Sequence, residues 1–440
     1  MKKTLVLSCI AVLGVFFISV ACNPLAPSTP TATVEILATE TQVLPEATAT
    51  DTPFAANPPV SPEESTSTPE EPGPAITHIG MGETINITFI DMVSVSDGWG
   101  VGGVKKASDH VFRTSTAGVT WKDVTPPEPV PPPGDVVTAL GYFKDASTAW
   151  VVYGPDSSSG VPDNINVWVT HDAGSTWQSS PISTADATGA FMPSFLTFAD
   201  AQHGWLMVIL GGGMNHEYVA IYATSDGGVT WTRILDPYSD SDIQSFAKTD
   251  FAFVDANNGW LTRDANGVDQ SPHVFHTTDG GKTWIRIDLP APAKYPNLFN
   301  NNACGTYNVN RFSPDFAVFT LRCLDTATYK VQINFQYATQ DAGKTWQVLP
   351  LPADFAFDKD SEGLYYFDPT HGFALGKNFY QTNDGGVTWT LIKKVAWDGQ
   401  FSFPNMNLGW AVASSGNKLA LVTTTNGGAK WSVINPFVVP

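Results

Sequence analysis

The side chains with most chemistry to offer in this 440-residue chain are carboxylates set at one recurrent position. Asp172, Asp226, Asp279, Asp341 and Asp384 each stand third in an eight-residue segment, Thr-x-Asp-(Gly/Ala)-Gly-x-Thr-Trp, that ends at Trp177, Trp231, Trp284, Trp346 and Trp389. Two weaker copies end at Trp121 and Trp431, with Thr116 and Asn426 in place of the acid and Lys430 in place of the second threonine. Carboxylates held as a pair ~5–10 Å apart can cleave a glycosidic bond. An acid inside a glycine-bearing turn has a nearer task, which is to accept hydrogen bonds from its own backbone N–H groups. The glycine supplies a backbone conformation that a Cβ penalises, and the tryptophan carries a large ring into the following strand, where it can be buried between sheets. On this reading the five acids and their tryptophans are structural, and no catalytic or metal-binding residue is assigned.

Such turns need strands on both sides. Each copy follows an alternating or β-rich run, such as Tyr218 to Tyr222 or Val331 to Tyr337, and precedes another short extended run, the pattern of a hairpin. A second motif, Phe-x-Asp-x-x-x-Gly-Trp, precedes most copies, as in Phe253 to Trp260. Related stretches run from Phe89 to Trp99, Phe143 to Trp150, Phe198 to Trp205, Phe367 to Phe373 and Phe403 to Trp410. Phe312 to Phe316 has lost the Gly-Trp. One unit therefore holds two hairpins and four strands. Successive turn tryptophans are 56, 54, 53, 62, 43 and 42 residues apart, a length that suits one propeller blade. The predicted fold is all-β, a single seven-bladed β-propeller of four-stranded antiparallel blades with no long helix after residue 75.

The eight-residue segment resembles the Asp-box of bacterial neuraminidase-type repeats. With its Phe-x-Asp…Gly-Trp partner, the stretch 83–437 resembles the propeller family of photosystem II assembly and stability factors. The resemblance implies an assembly role for membrane complexes. That family binds its client through an Arg-rich patch, and no such cluster stands out among Arg113, Arg233, Arg263, Arg286, Arg311 and Arg322. The same repeat occurs in sialidases, xyloglucan-active hydrolases and sortilin-type receptors. A sialidase needs an arginine clasp and a Tyr paired with a Glu. The family's Arg-Ile-Pro start is absent here, and Glu217 and Tyr218, adjacent on a strand, point to opposite faces. The xyloglucan enzymes use two propellers, and this chain has room for one.

Residues 1–22 have a basic start, an apolar run and Ser19-Val20-Ala21-Cys22 at the end, which reads as a secretion signal. The end resembles a bacterial lipoprotein box and so implies lipidation of Cys22; an uncleaved membrane anchor is the rival. Residues 23–75 form a Pro/Thr/Ser/Glu-rich tract with little to bury, expected to be a disordered tether, and residues 76–440 are assigned to the propeller. Cys304 and Cys323, outside the cytoplasm, are expected to form a disulfide. His203 and His371 occupy equivalent turn slots, and His216 is placed in a loop. The net charge of −19 argues against nucleic acid and anionic lipid surfaces as partners, and no motif calls for a cofactor. The expected protein is a monomeric, lipid-tethered module on the extracytoplasmic side of the cell envelope that binds or assembles a protein or glycan without catalysis. The alternative is a glycoside hydrolase, sialidase-like or xyloglucan-active, with an axial carboxylate pair.

Overall fold

The computed structural model describes residues 74–440 except 106, 132–134, 156–162, 186, 188–189, 214–215, 238–241, 265–270, 301, 329–330 and 356–362. Cys22, the anticipated signal and residues 23–73 of the anticipated tether lie outside the described residues. Everything described below belongs to one unit, Pro69–Pro440.

Seven antiparallel sheets follow one another along the chain. Their first strands are Asn86–Met92, Val137–Phe143, Met192–Phe198, Lys248–Phe253, Asn302–Arg311, Gly363–Tyr366 and Asp398–Ser402. The first strands of blades two to six lie beside one another in order, and that of blade seven lies beside that of blade one, so these strands line the axis. Each of the seven blades has four antiparallel strands, as the repeat predicts, and the helix content of the described residues is a single 3-10 turn, Leu298–Asn300. Among the described residues no helix is long and apolar enough to cross a membrane.

The two sequence motifs meet in space at the seams between blades. The Gly-Trp indole of one blade stacks on the motif phenylalanine of the next, Trp150 on Phe198 at 3.8 Å and Trp205 on Phe253 at 3.6 Å. Its Nε1–H then donates to a carbonyl in the next blade's turn, Trp150 to Gly227, Trp205 to Gly280 and Trp410 to Ala117. A ring that is buried while its one polar atom is satisfied is an efficient seam filler. Trp260, which faces the blade that lost its Gly-Trp, is buried with Nε1 unpartnered among the described residues.

Ring closure uses both ends of the described chain. Phe437–Val438 adds a fifth, parallel strand to the outer edge of the first blade, opposite Thr120 and Trp121. Gly82 to Ile85 bind the other side of this strand, with Gly82 N–H donating to Val438 O and Val438 N–H to Glu83 O. At the axis, Gln400 exchanges two hydrogen bonds with the backbone of Ile90, and Met92 N–H donates to Ser402 Oγ. Cys304 and Cys323 are directly opposite on neighbouring strands of the fifth blade and are joined by a disulfide.

Candidate functional site

The turn acids are consumed by their own turns. In the segment around Asp226, Thr230 N–H donates to Oδ1 and Thr230 Oγ–H to Oδ2, while Thr224 Oγ–H donates to Oδ1. The same three bonds recur at Asp172, Asp279, Asp341 and Asp384. Asn426 keeps the two bonds an amide oxygen can accept. The threonine hydroxyl, then its backbone N–H, hold Asp226 down at about 2. Trp121 and Trp284 are buried, while Trp177, Trp231, Trp346, Trp389 and Trp431 are half-buried. The glycine slot is left-handed in every copy, and Ala117, Ala173 and Ala342 occupy it at φ of 56°, 60° and 56°.

The acids of the second motif behave alike. Asp200 accepts from the N–H of His203 and pairs with its ring at 2.8 Å, and Asp368 accepts from the N–H of His371 and pairs with its ring at 2.9 Å. His216, placed in a loop by sequence, instead opens the strand His216–Thr224 and bridges to Ser245. Glu217 accepts from Lys248 N–H and lies 3.7 Å from its Nζ, which occupies the carboxylate in place of any Tyr partner.

A different constellation sits on the axis. A cavity of about 570 Å³ is lined by the inner strands of blades two to six, including Tyr142, Asp250, Asn308, Asn310, Arg311, Phe312 and Tyr365. Two irregularities set it up. The inner strands of blades four and five each carry one extra residue, between Lys248 and Asp250 and between Tyr307 and Asn310. Such bulges turn the side chains that follow. Asn308 lies at φ 56°, and its Oδ1 is buried and unpartnered. Arg311, opposite Ala317, holds the register position that Met92, Phe143, Phe198, Phe253 and Tyr366 hold in their blades. Arg311 Nε–H donates to Phe253 O, and its Nη atoms have no partner among the described residues.

Asp250 Oδ2 accepts from Val309 N–H and Oδ1 from Phe251 N–H. Burial pushes its carboxyl up, against the opposing pull of those N–H groups and of Arg311. The hydroxyls of Tyr142 and Tyr365 donate to Phe198 O and Phe403 O of the following blades. Asp91, on the first inner strand, is hydrogen-bonded to Ser402 and is pushed up to about 6 by burial. The inner strands carry one more acid, Asp398, which is paired with Lys377 at 3.2 Å.

Sequence reasoning passed over this site. Arg311 and Asn308 stand in the unit whose motif is degenerate, and a one-residue bulge is invisible in a pattern of types. The only trace was the lost Gly-Trp after Phe312. Lys248 faces Arg263 across a strand pair, and Arg263 lies over Phe246 at 4.3 Å. Both are buried, so they form an internal charge cluster rather than an open basic patch.

Residues 175–300 match a family described as photosynthesis system II assembly factor YCF48. The photosystem II assembly lipoprotein Ycf48 of Synechococcus sp. (strain CC9902) is 27% identical over 226 residues, which is 50% of this chain and 55% of that protein. The vacuolar protein sorting/targeting protein 10 of Candida albicans (strain WO-1) is 34% identical over 91 residues, 20% of this chain and 5% of that protein. The match thus spans about half of the first relative and a small part of the second. A solved structure of YCF48 bound to D1 peptide superposes with a TM-score of 0.49 at 16% identity, covering 80% of this chain and 99% of that one.

Proposed function

We propose that this Ycf48-like BNR-repeat propeller is a non-catalytic binding or assembly module for a protein partner at the outer side of a bacterial cell membrane. The observation that carries the reading is the state of the acids. Each of the five turn acids, the Asp-box residues of the sequence reading, is saturated by its own turn. The axial cavity has one carboxylate, Asp250, in its lining, whereas glycoside cleavage by the usual route uses two. Similarity to an assembly lipoprotein over half the chain supports the same class of activity. Lipidation at Cys22 and a tether over 23–75 complete the proposal, because a tether raises the local concentration of a membrane-proximal partner. The net charge of −19 favours a neutral or basic partner surface, with attraction that weakens as salt rises.

The test is capture from detergent-solubilised envelope of the source bacterium with the full chain as bait, run beside an assay for release of reducing sugar from xyloglucan and sialosides. Enrichment of one membrane protein without sugar release supports the proposal. Hydrolysis that Asp250→Asn abolishes replaces it with the hydrolase reading.

A further inference from the structure

We propose that the axial cavity binds one or two residues of a neutral sugar without cleaving them. The argument starts from groups that face one cavity and do not satisfy each other. The Arg311 Nη atoms offer N–H donors, Asn308 lines the same wall with its amide Oδ1 unpartnered and tucked against Gly363, from which a small shift of the amide would free it, and Asp250 offers carboxylate oxygens, each of which already holds one backbone N–H. Arg311 and Asp250 feel each other's charge, yet no direct ion pair joins them. A group lodged between them must accept from a guanidinium and donate to a carboxylate. A hydroxyl does both, and adjacent hydroxyls do so in pairs. The two charges offset each other, so the field suits a neutral ligand better than an anion or a cation.

The rest of the lining fits the same ligand. Tyr142 and Tyr365 have spent their hydroxyls on backbone carbonyls, which pins the rings and leaves their surfaces for the apolar side of a sugar ring. Phe312 adds a third aromatic wall. A volume of about 570 Å³ lies within the usual range for small-ligand sites.

The amide is also held at a cost to the backbone. Asn308 is left-handed, and a Cβ on its neighbour Gly363 would stand 2.2 Å from Oδ1. A strained polar residue beside a glycine that makes room for it is the kind of outlier that marks a ligand site. This proposal is independent of the protein-partner reading, since either can fail while the other stands.

The test is calorimetric titration of the full chain with cellobiose, maltose and N,N′-diacetylchitobiose. Saturable binding of at least one is expected. Asn308→Ala and Arg311→Gln should each weaken it about tenfold or more, as expected for losing a hydrogen bond that involves a buried or charged group. Gly363→Ala, which displaces the amide without removing it, should do the same. Thermal melts of each variant show whether it is folded, and any one folded variant suffices. Parallel retention on immobilised xyloglucan distinguishes the end of a polymer from a free sugar. The proposal is overturned by no saturable heat up to about 20 mM ligand, by binding that the folded variants retain, by displacement of the sugar with equimolar acetate or ammonium, or by release of reducing ends.

Discussion

At the scale of single residues, two kinds of aspartate divide the molecule. Asp226 and its equivalents sit on the rim, where each oxygen accepts from groups two to four residues away. Two of the three donors orphaned in Asp226→Ala belong to the exposed Thr230 and the third to the buried Thr224, so water replaces part of the loss. The cost should be about 1 kcal/mol in denaturant unfolding, with partner capture unchanged. Asp91 behaves in the opposite sense. Its carboxyl rises from 3.8 to about 6 in the fold, so the native state holds the proton that the unfolded chain has released. Stability should therefore fall as pH climbs from about 4 to about 6 and level off above. The side chain retains some solvent contact, so the loss should be on the order of 1–2 kcal/mol rather than the full value of the shift. Asp91→Asn should flatten that stretch of the stability-against-pH curve. The rim acids were legible in the sequence because their partners fall within one eight-residue word. Asp91 and Asn308 were not, because their surroundings come from strands far away in the chain, and Asn308 also stands beside a bulge.

At the scale of elements, the short strand Phe437–Val438 does more than its length suggests. It is bonded on one side to Thr120 and Trp121 and on the other to Gly82 through Ile85, and Val438 is buried. Deleting residues 436–440 removes about four backbone hydrogen bonds and one buried valine side chain. The expected loss is on the order of 4 kcal/mol, read as a lower Tm. The bare edge Thr120–Asp123 should also promote association, read by light scattering. A gain is expected at the alanines in left-handed turn positions. Ala342→Gly should stabilise by about 0.5 kcal/mol, the steric relief exceeding the entropy of a freer unfolded chain. The seven hairpin pairs were readable from motif spacing. The fifth strand of the first blade was not, because Pro436-Phe437-Val438 carries no repeat word and its partner lies more than 300 positions away.

At the scale of the whole molecule, the repeat count told the blade number and the composition told little about the activity. What the ring presents on its axis arises from bulged inner strands, those of the fourth and fifth blades above all. The proposed tether gives a further expectation: removing residues 1–73 should move the protein from the membrane to the soluble fraction while partner capture survives, as checked by fractionation and pull-down. The closing strand also bears on how such a ring comes into being. Residues 86–123, the four strands of the first blade, are made early, yet the outer edge of that blade is covered only by residues 437 and 438. The earliest blade to be synthesised is thus the last to be finished. A chain that stalls or is clipped before residue 436 keeps an open edge on its first blade, and quality control that recognises unpaired strands would read incompleteness directly from that blade.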